Sequence, residues 1–334
     1  MAFDPSAREA ELVAQANSWD TSAPVPAEPG DIPGVDIAAW RRTGDPGELA
    51  AAAASLRTAC ENVGFFQLTG HGVTPAEITE IFEATKRFHA LPFDVKQQIN
   101  IDNPDHPLGG VGYLPIGERR LPRRDKGNRN EAFLMKSDKA IDFDDNQWPV
   151  DADVPGFRAA VERYARAAEQ VALELVRVYA VALDLDEHWF DEAFAEPFWR
   201  LRLTRYPADQ QAHEGAFGIA PHVDTTFFTL LLQDSPGLTI YSALRDEWIQ
   251  APVVPGAYVV NTGELLKQWS NDRFLSTRHF ANNDAHESRY SIPLFFNASG
   301  DWPMECLPTC TGPDNPPRYA TVSYNESQAV AQGE

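Results

Sequence analysis

The chain has 334 residues, 43% hydrophobic and 23% charged, a composition that fits a globular protein with a sizeable core. Its 28 basic and 49 acidic residues leave a formal net charge of −21, which repels phosphate backbones and argues against nucleic acid or an anionic membrane surface as partner. No run of about 18 apolar residues is present, the polar, acidic start has no secretory pattern, and Cys60, Cys306 and Cys310 are too sparse for a disulfide framework. These features predict a cytoplasmic protein, with a monomer as the default.

Residues 1–30 are rich in Ala, Pro, Ser and Glu; 5–18 can form a short helix, and 22–33, with four prolines, reads as an extended arm. Residues 32–37 are β-like. An Ala-rich helix is predicted over 47–63, closed by Gly64. A strand over 65–68 then ends at the turn Gly70-His71-Gly72. Ile78, Ile81, Phe82 and Phe88 give 75–90 helical periodicity. Residues 101–130 lack a period and read as a long loop. Within 156–184, Val161, Ala165, Ala168, Val171, Leu175, Val178 and Ala182 recur at steps of three and four, which predicts a long amphipathic helix. After Trp199 the pattern turns to period two: Leu201 and Leu203 alternate with Arg202 and Thr204 up to Tyr206. Short β-type runs follow at 227–232, 238–241, 258–261, 277–280 and 290–296, with one helical insertion at 263–269. Helices first and many short strands second predict a mixed α+β fold, a sandwich or jelly roll backed by helices.

Two strand-borne patterns carry chemistry. In His222-Val223-Asp224, residues i and i+2 of a strand share a face, so an imidazole and a carboxylate can aim into one interior. His279, in the run 277–280, is the best third ligand among the remaining histidines. Two histidines and one carboxylate, with positions left open, is the ligand set of non-haem iron(II) oxygenases. A lone His-x-Asp is more often a strand face or a hydrogen-bonded loop. Arg289 and Ser291 likewise share a strand face; a guanidinium and a hydroxyl there suit a carboxylate, and equally suit an ordinary surface ion pair. The spacing of Cys306 and Cys310 matches half a zinc site, but no second pair lies nearby.

Taken together, His222-x-Asp224, His279 and Arg289-x-Ser291 resemble the isopenicillin N synthase-like branch of the iron(II)/2-oxoglutarate-dependent dioxygenases. Residues 59–73 (ACENVGFFQLTGHGV), 32–37, Gly112-Tyr113, 130–133 and 201–207 resemble further segments of that family, and the likeness runs from about residue 31 to 325. It implies a double-stranded β-helix (jelly-roll) core with flanking N-terminal helices and a long backing helix. It divides the chain into an arm (1–30), an N-terminal dioxygenase region (31–150), the oxygenase core with its backing helix (151–325) and a tail (326–334). His222, Asp224 and His279 match the iron ligands, Arg289 and Ser291 the anchors of the distal 2-oxoglutarate carboxylate, and Tyr206 a further hydrogen-bonding tyrosine. Thr204 stands where relatives often have Asn. Phe295 matches a pocket-lining aromatic, or is core; His71 reads as a turn residue.

The cofactors implied are Fe(II), 2-oxoglutarate and O2, with ascorbate a candidate reductant. The implied reaction is oxidation of a C–H bond of a small-molecule substrate by hydroxylation, desaturation or cyclisation. The alternatives are an oxidase of the same fold that needs no 2-oxoglutarate, and a non-catalytic metal- or ligand-binding jelly roll. Arg119, Arg120, Arg123, Arg124, Lys126 and Arg129 fall within eleven positions of the loop over 101–130. They either steer an anionic substrate into the site or pair with the surplus of Asp and Glu.

Overall fold

The computed structural model describes residues 21, 24–117, 128–208, 217–283 and 285–332. Its strands are β1 (Val25–Pro26), β2 (Gly34–Asp36), β3 (Phe65–Thr69), β4 (Gly112–Leu114), β5 (Glu131–Ser137), β6 (Phe198–Tyr206), β7 (Ile219–His222), β8 (Phe228–Gln233), β9 (Leu238–Ser242), β10 (Glu247–Gln250), β11 (Tyr258–Thr262), β12 (His279–Ala281) and β13 (Arg289–Asn297). They form an eight-stranded sheet in the order β2-β3-β11-β8-β13-β6-β5-β4 and a five-stranded sheet in the order β1-β10-β9-β12-β7. The helices are α1 (Ala38–Thr43), α2 (Pro46–Asn62), α3 (Pro75–His89), α4 (Phe93–Gln97), α5 (Phe157–Ala182), α6 (Glu264–Trp269) and α7 (Tyr324–Gln332). The expected jelly roll with a long backing helix is what forms.

Period-two alternation splits the larger sheet into two faces. Phe66, Leu68, Leu201, Leu203, Leu230, Leu232, Val260, Ile292, Leu294 and Phe296 join one core with the buried stripe of α5. Phe65, Leu231 and Val259 face the other way and pack with Leu238, Ile240 and Ile249 of the smaller sheet. Arg289, Ser291, Thr204 and Tyr206 alternate with the helix-facing residues of β13 and β6, so they belong to this inner face. The helix-side core runs from Val35 to Tyr324, so the N-terminal third and the strands are stabilised together.

Local signals set the helix ends. The Asp45 side chain accepts from the N–H groups of Gly47 and Glu48 ahead of α2, with Pro46 at its first position. Thr74 and Glu77 form a reciprocal capping box at α3. All seven stripe positions predicted for the long helix are buried in α5.

The sequence reading differs from the structure mainly at short elements. The interval 101–130 contains β4, and the sequence patterns do not predict β5, β10, α1, α4 or α7. Each is nine residues or shorter, so its own periodicity is weak, and the strands are fixed by pairing: β5 lies along β6 from Glu131↔Arg205 to Ser137↔Trp199. The arm over 22–33 is extended as expected, and Val25–Pro26 pairs in parallel with Ile249–Gln250. The expected helix over 5–18 lies outside the described residues. No helix among the described residues is long and apolar enough to cross a membrane.

Candidate metal and co-substrate site

His222 ends β7 and His279 opens β12, directly opposite one another in the antiparallel ladder. Their rings stand 4.3 Å apart between centroids. Nδ1 of His222 lies 2.8 Å from the Ala220 carbonyl oxygen and Nδ1 of His279 lies 3.1 Å from that of Thr277. A carbonyl can only accept, so each Nδ1 carries the hydrogen and each Nε2 presents a lone pair. Phe65 packs edge-on against the His279 ring.

Asp224 corrects the expectation of a continuous strand: β7 stops at His222, and Asp224 sits in the turn beyond it. The corner between β11 and α6 braces that turn. Glu264 N–H donates to the Asp224 carbonyl at 2.7 Å, Gly263 N–H to Phe227 at 3.0 Å and Leu265 N–H to Thr226 at 3.1 Å. A Cβ on Gly263 would collide with the Thr226 carbonyl, so only glycine allows this approach. Oδ2 of Asp224 accepts from Thr229 Oγ1 at 2.7 Å and from Asn261 Nδ2 at 2.9 Å. Oδ1 is left facing Nε2 of His222 at 3.4 Å and Nε2 of His279 at 3.7 Å.

Burial works against charge on Asp224, but His279, His222 and Asn261 outweigh it and hold the carboxyl well below its ordinary range. Burial first, and His222 second, push the His279 imidazole down to about 4, which keeps it neutral near pH 7. Two nitrogen lone pairs facing a carboxylate oxygen repel unless a cation lies between them. The three ligand atoms all lie within 4.8 Å of one another, so the donor set fits a divalent ion.

A second polar cluster lies between β6 and β13, where Arg289 pairs with Tyr206 and Ser291 with Thr204. Arg289 is only 1% exposed. Its Nε donates to the Ser235 carbonyl at 3.2 Å, its Nη2 to Gln233 Oε1 at 3.0 Å, and its Cζ lies 4.7 Å from the Tyr206 ring centroid. Among the described residues its buried Nη1 has no hydrogen-bond partner, and neither has the buried Thr204 hydroxyl. Ser291 Oγ donates to Tyr206 OH at 3.4 Å. The turn at Gly237 presses on this guanidinium: its φ is +145°, and a Cβ there would crowd Arg289 Cδ at 2.7 Å. A buried cation with an unpartnered nitrogen, on the same sheet face as an unpartnered hydroxyl, fits a carboxylate.

Phe295 is half-buried and pairs with Arg200 and Thr229, on the face shared by Arg289 and Ser291 and opposite the helix-facing Leu294 and Phe296. It therefore stands apart from the helix-side core. His71 is tied to the Gly256 carbonyl at 2.6 Å, as a turn residue. Arg119, Arg120, Arg123 and Arg124 lie outside the described residues. The sequence reading passes over Thr229, Gln233 and Asn261; period two in 227–232 carries a signal for the first, since Thr229 interrupts the apolar run on its inward position.

Residues 32–151 match the family model described as non-haem dioxygenase in morphine synthesis N-terminal, and residues 198–298 match the 2OG-Fe(II) oxygenase superfamily. The 2-oxoglutarate-Fe(II) type oxidoreductase hxnY of Emericella nidulans is 31% identical over 81% of this chain and 81% of its own. Kihadalactone A synthase LFS of Citrus sinensis is 32% identical over 82% and 85%. The crystal structure of a full-length Neurospora crassa protein in complex with alpha-KG superposes with a TM-score of 0.79 at 25% identity, covering 91% of this chain and 96% of that one. The chain belongs to the 2OG-Fe(II) oxygenase superfamily. It is a 2-oxoglutarate-dependent non-haem iron dioxygenase, with Fe(II), 2-oxoglutarate and O2 as its reactive partners.

Proposed function

We propose that His222, Asp224 and His279 hold the iron, that Arg289 with Ser291, Thr204 and Tyr206 anchors the distal carboxylate of 2-oxoglutarate, and that the enzyme oxidises a C–H bond of a specialised-metabolism small molecule by hydroxylation, desaturation or cyclisation. The observation that carries this reading is that Arg289 Nη1 and Thr204 Oγ1, buried on the inner face of the jelly roll, have no hydrogen-bond partner among the described residues. When bound, iron and 2-oxoglutarate supply the oxidising equivalent from O2, and the co-substrate leaves as succinate and CO2. The chain itself binds, orients and excludes water. The carbonyls of Ala220 and Thr277 fix the imidazole tautomers, and Gln233 and Ser235 lock the guanidinium in one rotamer.

Names of relatives support a small-molecule substrate, among them Azadirone synthase LFS of Melia azedarach and the rice dioxygenase for auxin oxidation. Phe295 and the arginines at 119, 120, 123 and 124 are read as substrate contacts, the latter for an anionic group. A cytoplasmic monomer acting apart from nucleic acid and membranes accords with the net charge of −21. The divisions at 31–150 and 151–325 accord with the matched segments 32–151 and 198–298.

The test is a screen of small metabolites for succinate release with Fe(II) and 2-oxoglutarate present. A substrate that stimulates succinate supports the reading. Iron-dependent O2 uptake that continues without 2-oxoglutarate makes the protein an oxidase, and no iron-dependent uptake with any compound makes it a binding protein.

A further inference from the structure

Asn261 and Thr229 are direct cross-strand partners in the β11–β8 ladder, and both side chains point to the inner face, 3% and 2% exposed. Both donate to the same atom, Oδ2 of Asp224. A carboxylate oxygen has two in-plane acceptor sites, so these two donors use up Oδ2 and leave Oδ1 to face the histidines. Thr226 Oγ1 lies 3.4 Å from the Thr229 hydroxyl, which fits Thr226 donating to Thr229 while Thr229 donates to Asp224. We infer that Asn261 and Thr229 are positioning residues of the metal centre, which hold Asp224 as a ligand through one oxygen rather than two. The inference rests on the reading of His222, Asp224 and His279 as metal ligands.

The physical consequence follows from counting positions. Three ligand atoms from this chain would leave positions open on a bound ion for co-substrate and dioxygen. A carboxylate free to swing both oxygens onto the ion would take one of them. Removing either donor frees Oδ2 to do so, and also slackens the ligand that reaches the ion from a turn rather than from a strand.

The probe is Co(II), titrated into the full chain, with affinity and the ligand-field absorption bands read together. Wild type is expected to bind one Co(II) per chain and Asp224→Ala not to; equal binding by the two overturns the ligand reading, and this inference with it. Granted that contrast, Thr229→Val and Asn261→Ala are expected to bind Co(II) about tenfold or more weakly, with ligand-field bands altered in position and intensity. Thr229→Ser, which keeps the hydroxyl, restores both. Wild-type affinity and spectrum in folded Thr229→Val and Asn261→Ala overturn the inference, as does a Thr229→Ser as defective as Thr229→Val. The two substitutions lie on different strands and thermal melts report their folding, so either one that folds decides the matter.

Discussion

At the scale of single residues, Arg289 is where packing meets the proposed recognition of the co-substrate. Its guanidinium is buried, held by Gln233 and Ser235 and stacked on Tyr206, and its Nη1 has no partner among the described residues. Truncating one partner of a desolvated, charge-assisted pair costs about 2–5 kcal/mol. Arg289→Ala is therefore expected to raise the 2-oxoglutarate KM by roughly 30-fold or more while metal affinity stays within twofold. Arg289→Lys should recover only part of the loss, because an ammonium lacks the planar fork. Steady-state kinetics against 2-oxoglutarate, with metal titration alongside, checks this; an unchanged KM in Arg289→Ala removes Arg289 from the site. For the basic segment, neutralising Arg119, Arg120, Arg123 and Arg124 singly should raise the substrate KM more than about twofold, or ~0.4 kcal/mol, for at least one of them. No such change at any of the four means that these arginines do not steer the substrate.

At the scale of elements, β5 is fastened to α3, α4, β4 and β6 through a single carboxylate. Glu131, 2% exposed, accepts from Lys96 Nζ at 2.8 Å, Tyr113 OH at 2.6 Å and Arg205 Nη1 at 2.7 Å, and His89 Nδ1 lies 3.6 Å away. Burial opposes the charge, but His89, Lys96 and Tyr113 outweigh it, so the carboxyl titrates well below its ordinary 4.5. A group depressed in the folded state contributes its stability in full above its unfolded value and loses it as pH falls. Melting temperature is therefore expected to drop as pH is lowered from 6 towards 3.5. Glu131→Gln should flatten part of that slope, and should already be destabilised at pH 7, by about 3–5 kcal/mol, because it leaves the buried Lys96 ammonium uncompensated. Denaturant unfolding of both proteins across this range is the measurement, and identical pH slopes would show that the cluster contributes nothing.

At the scale of the whole molecule, the three proposed metal ligands come from two strands and a turn of the two-sheet jelly roll, and the unfolded chain does not hold them together. A ligand that binds only the folded state stabilises it by about 2.7 kcal/mol at a concentration 100 times its Kd. Mn(II), which resembles Fe(II) in charge and resists oxidation, should raise the melting temperature by a few degrees, and a chelator should return it. His222→Ala, Asp224→Ala and His279→Ala should each lose the rise, since three ligands are already few for a labile divalent ion. Scanning calorimetry with and without Mn(II) reads it; a His279→Ala protein that still gains the full shift would place a different third ligand at the centre.

The long helices and most core strands were legible in the sequence because their own periodicity specifies them: the stripe of α5 and the alternation of β6 and β13 need no partner to be seen. The candidate site was legible too, because His222, Asp224, His279, Arg289 and Ser291 are residue types whose spacing has few other uses in combination, and the fold brings the first three together. What only the tertiary structure decided is what depends on a second segment of chain. The place of Asp224 beyond the strand end is set by the β11–α6 corner, and the engagement of its Oδ2 by Asn261 and Thr229 comes from pairing between β11 and β8. Arg289 Nη1 and Thr204 Oγ1, without a partner among the described residues, share a buried face because β13 and β6 pair. Hydrogen-bond partners far apart in sequence leave no periodic trace, so no one-dimensional pattern could announce them.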